Sequence, residues 1–240
     1  MLGVPMPRWD LQETREQVER RYGNSQLQII RKCLESIVDR QRYAGYHFYE
    51  SQRLLTAHID DRLVSKSIYE ITLAFEPKEK VELDLCLTQV SANIVACIQS
   101  MHSLADILAH VVYFALGLNN GANKLKEQEI HIGSVARLLR KIPEFGELTR
   151  ILEGISTHPD FVYLGALVNH SKHRSIVGTV LSVDPPVDGT PPYALLFDEF
   201  TYREIPYVRR DIKSFLEPTY AWLSQEIVNC GNALNQVLKK

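Results

Sequence analysis

The chain has 240 residues, of which 45% are hydrophobic and 23% charged, and its formal charge is −2. That length supports a substantial core, and the composition is that of an ordinary globular protein. The near-zero charge excludes a long-range basic field, so any contact with nucleic acid has to be local.

Residues 1–8, "MLGVPMPR", are too short and too proline-rich for a signal peptide and are expected to be flexible. "DLQETREQVERRY" (10–22) predicts a short exposed helix closed by Gly23-Asn24. From Ser25 onward, Leu27, Ile30, Leu34, Ile37 and Val38 fall at three- and four-residue spacing. They predict a second helix that continues through "YAGYHFYESQRLL", with a break near Gly45. Between Leu63 and Val81 the pattern fits a strand, or a helix followed by a turn at Pro77.

The next element carries the clearest period. Leu87, Val90, Ile94, Ile98, Met101, Ala105, Leu108, Val112 and Ala115 predict a helix from about Leu83 to Leu116. At 1.5 Å per residue it is roughly 50 Å long. Its most apolar run, Leu104–Leu118, contains Asp106 and His110. It falls short of the roughly 20 residues a bilayer needs, so a buried helix and no membrane association are expected. Gly117–Asn123 closes it with turn-forming residues.

Shorter helices are predicted at Ser134–Ile142, with Ser134 as N-cap, and at Phe145–Ile155. Thr157 or His158 then caps a helix over Pro159–His173, with Pro159 in its first turn and Asp160 near its positive end. After it the period becomes two. "SIVGTVLSV" and "YALLFDEFTY", joined by "DPPVDGTPP", predict a hairpin over about 175–203. A closing helix from "YVRRDIKSF" is expected to break or kink at Pro218. The expected fold is mainly α: one multi-helix bundle domain over 1–240, with a small β-hairpin appendage and a C-terminal helix.

The four cysteines, Cys33, Cys86, Cys97 and Cys230, are widely separated and form no CxxC pair. This usage predicts a reduced, cytoplasmic compartment.

Two constellations carry polar chemistry. "LGALVNHSKHRSIVG" (164–178) ends the Pro159–His173 helix. Asn169 and His173 are four apart and share a face with Val162 and Ala166, which predicts that they turn inward. His170 and Lys172 lie on other faces, with His170 expected at the surface, and Arg174 starts the exit. The negative carbonyl end of a helix is by itself sufficient reason for basic residues there. The second constellation is His102, Asp106 and His110, one stripe at four-residue spacing. Such a stripe can ligate a metal, with His170 or His173 completing the site, or be the polar face of an apolar helix. An aspartate in such a helix is costly unless paired or wet. Asp106 is therefore expected to face the Lys172-His173-Arg174 turn.

A helical bundle whose late helix ends in Asn-x-x-x-His, here Asn169 and His173, resembles the HEPN superfamily (higher eukaryotes and prokaryotes nucleotide-binding). Val168 stands where the family's signature has arginine. Arg40…His47, Arg42…His47 and Arg53…His58 match the Arg-to-His spacing, but so short a motif arises readily by chance. The resemblance implies a homodimer that acts on RNA or a nucleotide, with no cofactor or metal. If the site is catalytic, it implies His173 as general acid or base and Arg174 or Lys172 stabilising phosphorane charge. Asp106 and Asn169 would orient the imidazole, and Lys172 and His170 would contact the substrate.

Two other readings fit the same residues. One is a non-catalytic helical module for dimerisation or for binding a protein partner, which the missing arginine favours. The other is a metal-dependent hydrolase built on His102, Asp106 and His110.

Overall fold

The computed structural model describes residues 8–73, 76–122, 124–183 and 192–240. The chain is mainly α: a helical bundle with a small antiparallel sheet and a C-terminal helix. The helices are α1 (Leu11–Tyr22), α2 (Asn24–Leu55), α3 (Asp61–Leu63), α4 (Ile68–Leu73), α5 (Pro77–Ala115), α6 (Ile132–Leu139), α7 (Gly146–Thr157), α8 (Pro159–His173) and α9 (Ile212–Lys239). A π-helical turn, Thr56–Asp60, follows α2. Residues 1–7 and most of the hairpin connector (184–191) lie outside the described residues, as does Asn123 of the turn after α5.

The chain divides into two compact units. The first comprises Met1–Gln41, Met101–Val162 and Thr219–Lys240, and the second Arg42–Ser100 and Tyr163–Pro218.

In the first unit, Asp10 caps α1 by accepting from the Glu13 N–H at 2.9 Å. Gly23, at φ 84°, closes the helix with its N–H on the Glu19 carbonyl. Leu27, Ile30, Leu34 and Ile37 of α2 are buried as their spacing predicts, and so are Met101, Ala105, Leu108, Val112 and Ala115 of α5. A polar chain ties α1 to α9. Trp9 Nε1 donates to Thr14 Oγ1 (2.8 Å), Thr14 Oγ1 donates to Asn235 Oδ1 (2.6 Å), and Asn235 Nδ2 donates to the Asp10 carbonyl (2.9 Å). The Trp9 ring lies where a side chain at residue 231 would stand, which requires glycine there.

In the second unit, α5 buries Leu83, Cys86, Val90, Ile94, Cys97 and Ile98. Pro77 opens this helix, a position that needs no N–H. Strands β1 (Thr179–Val183) and β2 (Tyr193–Phe197) pair antiparallel with Thr179 opposite Phe197, and β5 (Arg210–Asp211) joins the far side of β2. β3 (Phe200–Tyr202) and β4 (Ile205–Tyr207) form a separate two-stranded hairpin. Its turn residues, Arg203 and Glu204, both take positive φ (50° and 66°), the twist a two-residue hairpin turn demands.

Two expectations need correction: α2 runs through Gly45 without a break, and α9 stays helical across Pro218. Of the two readings of 63–81 the helical one holds, as α4, and Pro77 opens α5. The start of α9 is set by Asp211, whose carboxylate accepts from the Ser214 N–H at 2.7 Å. Pro218 removes one donor to the preceding turn, and the remaining ladder holds the helix. α6 begins at Ile132, so Ser134 sits inside its first turn, where its hydroxyl accepts from the His131 N–H (3.1 Å).

By length and composition α5 is apolar enough to cross a bilayer. Its C-terminal part instead behaves as a core helix, with Leu104, Ala105, Leu108, Ala109, Val111 and Val112 buried.

Candidate functional site

α8 spans the residues predicted for it. His158 precedes Pro159 and caps the helix, its Nδ1 accepting from the Asp160 N–H at 3.3 Å. The same ring stacks on Trp222 with centroids 3.8 Å apart. Phe161, Tyr163, Leu164, Ala166, Leu167 and Val168 are buried, so the helix is enclosed on most sides until its last turn.

At that turn the side chains separate. Lys172, His173 and Arg174 are exposed, and Asn169 is half-buried. The Asn169 amide donates to the Gly165 carbonyl of its own helix (2.8 Å) rather than to His173. The inward face expected for Asn169 and His173 therefore tips outward at its C-terminal end. Arg174 reaches the β3–β4 hairpin, where Nη1 donates to the Thr201 carbonyl at 3.4 Å. Among the described residues none of the three side chains forms an ion pair with an acid.

His170 is the reverse of its expectation. It is buried, and its Nδ1 donates to the Ser175 carbonyl at 2.8 Å. Its ring meets Phe200 edge-on at 5.4 Å. Tyr163, Leu167 and His170 form one buried stripe, a signal the sequence carried and the polarity of the imidazole obscured. His170 is a structural residue and is not available to contact a substrate. Phe200 in turn stacks on Tyr207 (4.7 Å), and Tyr163 packs among Phe197, Phe200, Tyr207 and Phe215. Burial pushes the Tyr163 hydroxyl up to about 12.

The arginine of the HEPN signature has no place here. Val168 is fully buried, so a guanidinium at that position would have to be desolvated without a partner.

Asp106 is half-buried on the part of α5 that belongs to the first unit, whereas Asn169, His170, Lys172, His173 and Arg174 belong to the second. His110 Nδ1 donates to the Asp106 backbone carbonyl at 2.8 Å, and His102 stacks flat on Phe161 (5.6 Å, 2°). Among the described residues no three His, Cys, Asp or Glu side chains gather closely enough to hold a metal ion. Each of the three early arginine–histidine matches has a member with another partner: Arg53 is held bidentate by Glu50, and His47 meets Asn93 at 2.8 Å.

Nothing in the residue pattern signals the π-helical turn at Thr56–Asp60, an irregularity often associated with functional sites. His58 lies in it, beside a cleft of about 420 Å³ that Arg62, Glu82, Cys86 and Gln89 also line. Burial, and then the nearby Arg62 guanidinium, push the His58 imidazole down, while Glu82 opposes the shift. Arg62 Nη2 meets Glu82 at 2.9 Å and holds that carboxyl below its usual range. On the other side of the turn, Asp60 accepts from the Tyr193 hydroxyl at 2.8 Å.

No family model matches the chain, no curated protein matches its sequence, and no solved structure matches its fold.

Proposed function

We propose that the chain is a HEPN-like module that binds RNA through the cationic end of α8 and does not cleave it. One observation carries this reading: Lys172, His173 and Arg174 project together into solvent with no acid among the described residues neutralising them. Arg174 is steadied by Thr201, which leaves most of its guanidinium N–H groups free for phosphate oxygens. Proton transfer to a ribose hydroxyl needs an oriented imidazole shielded from bulk water. His173 is exposed, and the nearest candidate for orienting it, Asn169, is turned back on its own helix. Binding without cleavage fits that arrangement.

Fluorescence anisotropy with a labelled single-stranded RNA tests the reading. Each phosphate contact to a single strand contributes about −0.7 to the slope of log affinity against log salt. Lys172→Ala with Arg174→Ala should weaken binding and flatten that slope by about 1.4 if both side chains contact phosphates. No detectable RNA affinity, or an unchanged slope in the double variant, would refute the proposal. RNA cleavage that His173→Ala abolishes would restore the catalytic reading.

A further inference from the structure

Within the second unit, the turn after α2 lies beside the first turns of α5 and leaves a cleft of about 420 Å³. That volume falls in the range of small-molecule sites, roughly 300–1,000 Å³. Its wall has two characters. Leu54, Ala57 and Leu85 are apolar, and Leu85 is 57% exposed, so the fold leaves this surface uncovered. Arg62 and Glu82 are charged and lie side by side, with Nη2 donating to Oε2 at 2.9 Å. Both side chains are partly exposed. This bond occupies one N–H of the guanidinium, and the fork has four others. Lys78 stands 3.9 Å from Glu82 Oε1, too far for a hydrogen bond, and its side chain is 88% exposed, so water screens it.

His58 enters the same wall from the π-helical turn. Burial and Arg62 disfavour its imidazolium, so it adds no net charge near neutral pH. Its Nε2 is buried and has no hydrogen-bond partner among the described residues. An atom so placed costs free energy until a water or a ligand joins it. The cleft thus has no net charge of its own, but it holds one positive and one negative group in contact beside an apolar surface.

We infer that this cleft binds a free α-amino acid with an apolar side chain. The ligand's carboxylate takes the unused N–H groups of Arg62, its ammonium donates to Glu82 Oε1, and its side chain lies over Leu54, Ala57 and Leu85. Charge complementarity selects this class. A zwitterion carries its two charges on one carbon, so it lies antiparallel against the Arg62–Glu82 pair and meets an opposite charge at both ends. A simple carboxylate or a phosphate would be attracted by Arg62 and repelled by Glu82, and a simple amine the reverse. In a peptide the two charges belong to opposite ends of the chain, and an internal segment has neither.

Isothermal titration calorimetry of the whole chain with L-leucine, L-methionine and L-phenylalanine tests the inference. At least one of the three should bind. Isocaproate, which lacks leucine's ammonium, and isoamylamine, which lacks its carboxylate, should each bind about tenfold more weakly or worse than the best of the three. Arg62→Gln and Glu82→Gln should each weaken binding by a similar factor. An exposed ion pair contributes little to stability, so both variants should keep the wild-type circular-dichroism spectrum. Ala57→Phe leaves both charges in place and fills the cleft from an exposed position, and it should abolish binding. No heat from any of the three amino acids overturns the inference. So does affinity for isocaproate or isoamylamine equal to that for the amino acid, or undiminished binding in any of the three variants. RNA plays no part in this test, so the two proposals stand or fall separately.

Discussion

The buried ring of His170 donates from Nδ1 to the backbone oxygen of Ser175, 2.8 Å away, and so fastens the exit of α8 to the helix it has just left. A carbonyl can only accept, so Nδ1 carries the proton and the tautomer is fixed. His170→Ala removes this bond together with the packing against Phe200, and should cost about 2 kcal/mol. Urea denaturation measures it, and a midpoint equal to that of the wild type would show that the bond is dispensable.

Two glycines in helices predict opposite outcomes. A methyl group at residue 231 would overlap the body of the Trp9 indole, so Gly231→Ala must displace the ring. The displacement, typically 1–3 kcal/mol, offsets or exceeds the gain of about 1 kcal/mol in helix propensity. Gly154 in α7 meets nothing within 4 Å. Gly154→Ala should therefore stabilise by about 0.5–1 kcal/mol. Thermal melts of the pair, with tryptophan emission as a local probe of Trp9, decide between them.

His58 makes stability depend on pH. Its folded-state pKa lies below its unfolded value because burial and Arg62 disfavour the imidazolium. The unfolded chain then binds the extra proton first, so the histidine's contribution is intact above the unfolded pKa, near 6.5, and is lost as pH falls toward the folded value. His58→Gln should show a shallower loss of stability over that interval than the wild type. Parallel pH profiles for the two proteins would refute the assignment.

Thiol reactivity should be confined to one cysteine. Cys86, Cys97 and Cys230 are buried, and burial pushes the Cys97 thiol up to about 12. Cys33 is raised as well, yet it alone is partly exposed. Native protein treated with a thiol-reactive disulfide should modify Cys33 first, and Cys33→Ser should leave only the slow reaction that follows unfolding. Rapid labelling of the Cys33→Ser protein would contradict this.

The long helices were readable because their burial follows their spacing. Every apolar position used to infer the central helix is buried except Leu87, and α8 begins and ends where its proline and its polar run place it. Breakers misled. Gly45 and Pro218 are weak against long helices whose neighbouring residues are buried, as Ala44 and Thr219 are. Polarity misled in a different way, because an imidazole reads as surface until the carbonyl it serves is known, and Ser175 lies beyond the helix. The π-helical turn left no trace in the residue pattern, since one extra residue per turn is a property of the backbone and its ends.

The hydrogen bonds from Thr14 to Asn235, and from Asn235 back to Asp10, have a consequence for synthesis. At roughly 5–20 residues per second, α9 leaves the ribosome some 10–40 s after α1. Until it arrives, Trp9 has no Gly231 to lie against and Thr14 no amide to receive its proton. The first unit therefore cannot be completed domain-first as the chain emerges. During that wait α1 is a marginal helix and the tryptophan before it is uncovered, which leaves this segment open to chaperones and proteases.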